Sequence, residues 1–556
     1  MTISSLVQNV SYAQIAAPLI VAAGAVAVLV AEVFLPPKRK PLVSWLSLLV
    51  LAGAAAPDIA LWPGRTVGTF CMPRSAVGLY SLGAGAPQGL PGTCSYVADR
   101  FTLIFHFIAL AGAFIVVLMS AASMRRDRIP TGEYHFLLLS SVAGVLVLAA
   151  SRDLITLTVA LETVSLPAFA LVGLKRWSGR SSEAALKFFL VSVASTGVML
   201  FGISLVYGAT GNVHFGPVAL HLQALAGGPV RHLAYLGVGL TLVGFGFKVS
   251  AVPFHFWTPD TYAGAPVPIA AYLSVVSKAA GFAGLILLTG TAFSPLLNKT
   301  GPLLAVLAAL TMSLGNLVAL RQRDAVRLLA WSTIGQAGYI LVPLAAHDQG
   351  SYTKHINASI AYIIMYAAMN LGAFAVVHSV HTTSLDAYRG LAKTRPLASA
   401  ALAFFLLCLA GLPPGLMGLF AKVAVFGAAA GSHLVWLAVV MAVNVVIALY
   451  YYLSWTARLF AAPDAATAAI GRSPATLRFA IGLTVLASVV FSVWPQSALG
   501  AFSAGAGWGL RGHDREPVLA AHPCCWRVPV GVVVRAGPSH CACVWSGGRR
   551  QRLVGA

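Results

Sequence analysis

Four lysines and a histidine lie within long apolar stretches of the sequence, where an ionisable side chain is costly. Lys248, His255 and Lys278 share one segment, FKVSAVPFHFWTPDTYAGAPVPIAAYLSVVSKAAGF, at positions 247–282. A charge at the centre of a bilayer costs on the order of 3 kcal/mol on insertion scales, so an ionisable residue there predicts a function. Burial and a nearby carboxylate change a lysine's proton affinity in opposite directions, so such side chains can bind and release protons near neutral pH. The pattern favours an ion path.

Prolines interrupt helix formation around these residues, because proline lacks an N–H donor and clashes with the preceding turn. The 247–282 segment contains four of them, Pro253, Pro259, Pro266 and Pro268. In the stretch GLPPGLMGLFAK, Pro413 and Pro414 precede Lys422. Irregular backbone at membrane depth is tolerated only where protein or a water-filled cavity surrounds it. Two interrupted helices, each near a buried lysine, predict inverted repeats with a site where the repeats meet.

Three further charged residues lie inside apolar helices. Glu162, in TVALETVSLPAFAL, is the predicted counter-ion of Lys248, and the alternative is a carboxylate held only for helix packing. Glu183 and Lys187 lie four residues apart in the orientation that favours a helical ion pair. We interpret these two as a supporting pair. A purely structural pair with both side chains reaching towards water is an equal alternative.

The composition is that of a polytopic membrane protein. Hydrophobic residues make up 58% of the chain and charged residues 9%, against about 25% charged in globular domains, and the mean hydropathy is +0.84. A net charge of +21 would suggest nucleic acid binding in a soluble protein. Here cytoplasmic loops explain the charge, so no nucleic acid partner is expected.

The fold class expected is all-α, with about fourteen transmembrane helices of roughly 20 residues each. The predicted spans, one to fourteen in chain order, are 11–35, 41–60, 101–123, 134–150, 153–174, 182–208, 233–257, 266–290, 301–320, 325–346, 356–380, 398–428, 433–459 and 477–497. The predicted domains are a three-helix segment with an outside loop (1–123), two inverted five-helix repeats (134–290 and 301–459) with broken helices seven and twelve, a last helix (477–497) and an atypical tail (500–556).

Basic residues in the loops predict the orientation. Six alternate joints carry eighteen lysines and arginines, whereas the other joints carry seven. The basic side is expected to be cytoplasmic, which puts the N-terminus outside. No basic segment precedes the first apolar run, so we interpret it as a retained span and not as a signal peptide.

Cysteines occur in two regions outside the spans. Cys71 and Cys94 lie in the outside loop, where they could form a disulfide or remain free thiols. The tail holds a set of possible zinc ligands whose spacing fits no usual site: His522, Cys524, Cys525, His540, Cys541 and Cys543. A disordered tail or a shifted reading frame explains its composition better. The sequence has no P-loop, dinucleotide-binding or CxxC motif, which disfavours nucleotide or iron–sulfur binding.

The 247–282 segment, together with LETVSLPAFAL, SSEAALKFFL and GLPPGLMGLFAK, resembles the antiporter-like membrane subunits of respiratory complex I. The form WTPDTYAGAP is more similar to N-type subunits of bacterial NADH-quinone oxidoreductase than to L-type or M-type subunits or to multisubunit cation antiporters. The resemblance extends from span one to span fourteen. The cysteine-rich tail departs from the family pattern.

The resemblance implies fourteen helices, two inverted five-helix repeats and a central polar axis. By matching motif, Glu162 on helix five pairs with Lys248 on helix seven, Lys278 is the relay lysine of helix eight, and Lys422 on helix twelve lies near the exit. His255 is expected between Lys248 and Lys278. The family binds no cofactor in this subunit; FMN and iron–sulfur clusters belong to partner subunits. The expected partners are other complex I subunits, above all the antiporter-like ones, in a bacterial plasma membrane.

Three functions follow as alternatives. The first is a subunit that translocates protons through a buried Glu/Lys/His relay while partner subunits transfer electrons from NADH to quinone. The second is a cation/proton antiporter subunit without NADH chemistry, since both use the same polar axis. The third is a passive scaffold whose charges only hold helices together.

Overall fold

The computed structural model describes residues 10–63, 66–71, 94–175, 177–225, 228–346, 349–462 and 473–501. These residues all belong to one compact unit, Met1–Arg511. The predicted tail, with its candidate zinc ligands, lies outside the described residues except for its first two positions.

Apolar helices follow one another along the first half of the chain, as expected where the backbone must satisfy its own hydrogen bonds in lipid. They are α1 (Ala16–Phe34), α2 (Pro41–Leu61), α3 (Arg100–Arg126), α4 (Thr131–Ala150), α5 (Leu154–Val172), α6 (Gly179–Thr210), α7 (Phe215–Ala224), α8 (Pro229–Val249), α9 (Trp257–Gly264), α10 (Val267–Tyr272) and α11 (Lys278–Leu287). Two strands, β1 (Val67–Cys71) and β2 (Cys94–Ala98), lie between α2 and α3. Two π-helical turns, Leu273–Ser277 and Leu288–Ala292, flank α11.

The second half continues in the same way. Its helices are α12 (Leu297–Ala319), α13 (Ala325–Leu341), α14 (Gln349–Val380), α15 (Leu391–Thr394), α16 (Pro396–Ala410), α17 (Leu416–Gly431), α18 (Val435–Phe460), α19 (Ala475–Val493) and α20 (Gln496–Leu499). Short 3-10 turns occupy Pro37–Arg39, Ser294–Leu296, Val342–Ala345 and Leu385–Tyr388.

The predicted all-α membrane fold is confirmed. Within the described ranges, thirteen helices or helical runs are long and apolar enough to cross a membrane, judged by length and composition. The shorter apolar helices α16 and α17 together occupy the predicted twelfth span. The total is therefore about fourteen crossings.

Spans seven and twelve are interrupted, and each break lies beside a lysine. Helix α8 ends one residue after Lys248, because Ser250 adopts a left-handed backbone (φ 62°, ψ 39°), and helix resumes only at α9. Helix α16 ends at Gly411, where φ is 84°, a conformation that glycine adopts without steric cost. Helix α17 then carries Lys422 in its second turn. The lysine thus precedes the break in span seven and follows it in span twelve.

Corresponding helices in the two halves begin in the same way. Asp153 caps α5 and Asp324 caps α13, each accepting a hydrogen bond from the backbone N–H three residues ahead, at 2.7 and 2.8 Å. Each aspartate also forms an isolated antiparallel bridge after the next long helix, to His214 and Ser384. Those next helices, α6 and α14, are both 32 residues long. These parallels favour two repeats, whose boundaries at 134–290 and 301–459 stay a prediction.

A two-stranded sheet lies in the loop between α2 and α3, where the sequence predicts no strand. Strand β1 pairs with β2 in antiparallel register, with Cys71 opposite Cys94, and the two cysteines are joined as a disulfide. The positions between them, 72–93, are not described. Below β2, the guanidinium of Arg152 donates to the Asp99 carboxylate at 2.6 Å, both side chains being buried. This ion pair ties the start of α3 to the end of α4.

Burial separates central from peripheral helices. The most apolar stretch of the run Val267–Ala292, which includes α10 and α11, is entirely buried within the chain, and those of the α13 and α14 spans are nearly so. In contrast, α6 and α19 have more than two thirds of their most apolar stretch accessible. Lys278 therefore lies on the most enclosed helix of the described fold.

Candidate functional site

Lys248 is buried where α8 ends. Its ammonium donates a hydrogen bond to Ser165 Oγ of α5 at 2.8 Å, and the residue is 2% exposed. The side chain packs on Gly281 of α11, where a methyl group on the glycine would come within 2.9 Å of Lys248 Cγ. The carboxyl end of a helix carries partial negative charge, which favours an ammonium there. Helices α5, α8 and α11 thus position this lysine together.

Glu162 does not form the direct ion pair with Lys248 that the sequence predicts. Its carboxylate accepts a hydrogen bond from Thr196 Oγ1 of α6 at 2.7 Å. Within the described part of the chain, no oxygen of Glu162 lies within 4 Å of the Lys248 ammonium. Ser165, one helical turn further along α5, takes that position. Two acceptors one turn apart on one helix therefore face the same lysine.

Lys278 follows directly on a π-helical turn, a feature that often marks functional sites. Its ammonium donates to the Thr333 carbonyl of α13 at 3.2 Å, and the residue is 3% exposed. A cavity of about 10 Å³, lined by Lys278, Thr333 and Tyr366 among others, adjoins it, which is about the space that one water molecule needs. The nearby Ser274 hydroxyl does not bind the lysine, because it donates to Ala271 and accepts from Asn370.

Lys422 forms its hydrogen bonds at the break in span twelve. Its ammonium donates to the carbonyls of Leu409 and Ala410, at 3.0 and 2.6 Å. These are the last residues of α16, whose terminal carbonyls have no partner within their own helix. The ammonium also lies 5.9 Å from the ring centroid of Tyr339 on α13. The break thus supplies the acceptors that this buried cation needs.

His255 lies in the break of span seven, as the sequence predicts, and is 5% exposed. Its ring contacts Trp331 of α13, with ring centroids 5.4 Å apart. Trp331 lies two residues before Thr333, the residue whose carbonyl binds Lys278. Among the described residues, His255 forms no hydrogen bond with either Lys248 or Lys278. Its expected position between the two lysines stays a prediction.

A polar network on α13, not foreseen from the sequence, lies between Lys278 and Lys422. Tyr366 donates to Thr333 Oγ1 at 3.1 Å, and Gln336 donates to Tyr452 at 3.1 Å while accepting from Tyr362 at 2.5 Å. Asn316 donates to Tyr339 at 3.0 Å, one helix turn further on. The network residues of α13 are three or four positions apart in WSTIGQAGY, so they share one helix face. The sequence signal that could have revealed this network is the helical spacing of Thr333, Gln336 and Tyr339 within an apolar span.

Glu183 and Lys187 form the helical ion pair that the sequence predicts, but they are not buried, which favours the alternative of a structural pair reaching towards water. Their side chains are 63% and 48% exposed in this chain, and they form an ion pair of 2.7 Å. Lys187 also contacts Asp260 of α9 at 3.1 Å, and Asp260 in turn contacts Arg327 of α13 at 3.0 Å. Exposed pairs of this kind contribute little to stability singly. Their arrangement nevertheless connects a helix of the first predicted repeat with one of the second.

A buried pair of Asp58 and His106 was not foreseen from the sequence. Asp58, near the end of α2, is 2% exposed and contacts His106 Nδ1 with both carboxylate oxygens at 3.1 Å. His106 Nε2 lies 2.9 Å from the Leu146 carbonyl, which can only accept. His106 Nε2 therefore donates to this carbonyl, while Nδ1 faces the Asp58 carboxylate. The pair joins α2, α3 and α4.

In the ranges that the structure describes, no three His, Cys, Asp or Glu side chains are grouped so as to hold a metal ion. The proposed relay residues are instead dispersed along helices α5, α8, α11 and α17, with His255 in a helix break.

Known proteins share both the sequence and the fold. A family model for the transmembrane part of NADH:quinone oxidoreductases and Mrp antiporters matches residues 151–448. NADH-quinone oxidoreductase subunit N 2 of Streptomyces griseus subsp. griseus is 54% identical over 519 residues, 89% of this chain and 94% of the relative. Subunit N of Salinispora tropica is 43% identical over 401 residues, 69% of this chain and 77% of the relative.

Solved structures of related complexes contain chains with the same fold. A chain of respiratory complex I from Thermus thermophilus, solved with bound aureothin, has a TM-score of 0.68 and 31% identity, with 87% of this chain and 98% of that chain covered. A chain of the Mrp complex from Dietzia sp. has a TM-score of 0.72 at 20% identity, covering 88% and 97%, a likeness of fold alone. The resemblance seen in the sequence motifs is confirmed, and the chain belongs to the subunit N family of NADH-quinone oxidoreductases, within the wider group of antiporter-like membrane proteins.

Proposed function

We propose that this chain is a proton-translocating membrane subunit of an NADH:quinone oxidoreductase in a bacterial plasma membrane, with its N-terminus outside. Other membrane subunits of the complex are its partners, and FMN and iron–sulfur clusters are bound by partner subunits. One observation carries the proposal. Lys248, Lys278 and Lys422 are buried, and among the described residues their ammonium groups donate only to neutral oxygens. A lysine so placed can give up a proton, which an arginine cannot.

The first step of the relay is a choice between two acceptors. In the structure Lys248 binds Ser165, while Glu162 is held by Thr196. Turning the ammonium towards Glu162 would replace a hydrogen bond to a neutral acceptor, worth about 0.5–1.5 kcal/mol, by one to a charged acceptor, worth about 1.5–3 kcal/mol. Moving one charge across 100 mV costs about 2.3 kcal/mol. Events in neighbouring subunits that switch Lys248 between the two acceptors would therefore supply energy of the required size.

The later steps follow α13. A proton leaving Lys248 would pass His255 to Lys278, whose ammonium reaches the Thr333 carbonyl. From there the hydroxyl groups of Tyr366 and Tyr452 and the amide of Gln336 lead towards Tyr339, whose ring faces Lys422. Each hydroxyl group both donates and accepts, so it can pass a proton without a net change of charge.

Replacing Ser165 by alanine tests the first step. We expect Ser165→Ala to slow proton transfer through this chain about tenfold, because Lys248 loses its neutral acceptor and stays with Glu162. The measurement is the initial rate of NADH-driven proton uptake by vesicles that contain the assembled complex. Thr163→Ala is the matched control, since Thr163 is exposed on the same helix and donates only to Val159. Normal pumping by the Ser165→Ala complex would show that Ser165 is not one of the two acceptors between which Lys248 switches.

Copurification separates the proposal from the antiporter alternative. An affinity tag on this chain is expected to recover NADH:quinone reductase activity together with flavin and iron–sulfur subunits, because the 54% identical relative is a subunit of such an oxidoreductase. The readouts are flavin absorbance, NADH oxidation and subunit identification by mass spectrometry. Recovery of this chain without flavin, together with sodium or potassium flux driven by a pH gradient, would favour an antiporter.

A further inference from the structure

A long apolar groove lies between α16 and α19 and has a basic end. It encloses about 800 Å³. Arg395 and Arg478 line one end together with Ser473, and Pro414, in the break of span twelve, lines the other. Among the described residues that line it there is no aspartate or glutamate, so its basic end is formed by two arginines without a described acidic neighbour.

The groove has the length of one bilayer leaflet. On α19 its lining residues run from Arg478 through Gly482 to Val489, at spacings that place them on one helix face. These eleven residue steps span about 16 Å at 1.5 Å per residue. Half of a bilayer's hydrocarbon core is about 15 Å. The groove thus runs from the basic interface to the level at which span twelve is broken.

The two arginines differ in their bonding. Arg395 donates one N–H to the Ser379 carbonyl at 2.8 Å and another to Ser473 Oγ, which fixes its guanidinium at the rim. Its three other N–H donors have no partner among the described residues. The Arg478 side chain forms no hydrogen bond or ion pair with any described residue. Guanidinium groups bind phosphate through two parallel hydrogen bonds. Basic pockets between helices on the cytoplasmic side of membrane proteins bind acidic lipid head groups.

We propose that this groove binds one anionic glycerophospholipid, with its phosphate between Arg395 and Arg478 and an acyl chain along α19 up to Pro414. The basic end fits a phosphodiester, and the apolar length fits an acyl chain within one leaflet. In the proposed orientation the basic end lies on the cytoplasmic side, where anionic lipids concentrate. The bound chain covers the backbone turn that precedes Lys422. This assignment does not depend on the proposed proton relay.

Photolabelling of the assembled complex in membranes tests the site. The probe is phosphatidylglycerol with a photoactivatable acyl chain, and phosphatidylcholine with the same chain is its counterpart. We expect the phosphatidylglycerol probe to label peptides of α16 and α19, and unlabelled phosphatidylglycerol but not phosphatidylcholine to compete. Arg478→Gln should reduce this labelling about fivefold, and Arg478→Lys should restore most of it. Arg321→Gln, an exposed arginine on the same basic side, should leave it unchanged.

A substitution of Gly482 tests the apolar half of the groove. A Cβ atom added at Gly482 meets no atom within 4 Å, and Gly482 lines the groove, so we expect Gly482→Phe to place its ring in the groove. It should abolish labelling of α19, whereas Gly197→Phe on α6, which also projects into open space, should not. Recovery of partner subunits with each variant shows that the complex is intact. The proposal would be overturned by equal labelling with both probes, or by labelling that survives Arg478→Gln and Gly482→Phe. It would also be overturned by an absence of labelling because another subunit or chain segment covers the groove.

Discussion

Replacing Lys278 by methionine is expected to lower proton transfer through this chain about 10²-fold, the contribution typical of a positioned acid–base group. Lys278 is buried, and within the described residues its ammonium donates only to the Thr333 carbonyl. Methionine keeps the length and apolar stem of the side chain but cannot carry a proton. Removing a buried charge that has no carboxylate partner among the described residues should not unfold the helix bundle. The readout is the ratio of protons taken up to NADH oxidised in sealed vesicles.

The arginine variant at the same position separates a relay from a scaffold. Lys278→Arg keeps the positive charge and a donor for the Thr333 carbonyl, but arginine stays protonated. A relay therefore predicts that Lys278→Arg fails as Lys278→Met does, whereas a scaffold predicts that it works. Lys299→Met, at an exposed lysine near the start of α12, should pump normally. Normal pumping by both Lys278 variants would end the relay proposal and leave the scaffold.

The sequence was informative about the fold because its signals are local. Spans of about twenty apolar residues, prolines beside Lys248 and Lys422, and the motif around Trp257 each depend on nearby residues only. The prolines placed both breaks to within a few residues. Pairing across helices is not local. Glu162 lies three residues before Ser165, so a single turn of helix decided which side chain meets Lys248, and no pattern of spacing could have chosen between them.

Burial explains the remaining differences. Asp58 and Lys187 both lie in apolar helices near a span end, yet Asp58 is enclosed by α3 and α4 whereas Lys187 is half exposed on α6. Whether a helix is central or peripheral depends on its neighbours, which composition does not specify. The hydroxyl and amide groups of α13 were visible as Ser332, Gln336 and Tyr339 in an apolar span. Only the packing of α14 and α18 against that face joins them into a network.

The closest backbone approach near the site gives the largest expected effect on stability. Helix α17 begins directly against the end of α16, and a methyl group added at Gly418 would overlap the Cys408 carbonyl oxygen. That oxygen belongs to the turn whose next two carbonyls, at Leu409 and Ala410, bind the Lys422 ammonium. Backbone cannot move aside as a flexible side chain can. We therefore expect Gly418→Ala to destabilise the protein by about 3 kcal/mol or more.

Gly427 supplies a matched control nine residues along the same helix, because a methyl group added there meets no atom within 4 Å. Gly427→Ala should be neutral or slightly stabilising, since alanine favours helix by about 1 kcal/mol over glycine. Thermal unfolding of the purified complex, followed through the solubility of this chain, measures both variants. If Gly418→Ala assembles, its proton transfer should still fall, because any shift that relieves the overlap moves the carbonyls away from Lys422. A Gly418→Ala complex as stable and as active as Gly427→Ala would show that the two halves of span twelve are not held together at this contact, and that Lys422 does not depend on the break for its acceptors.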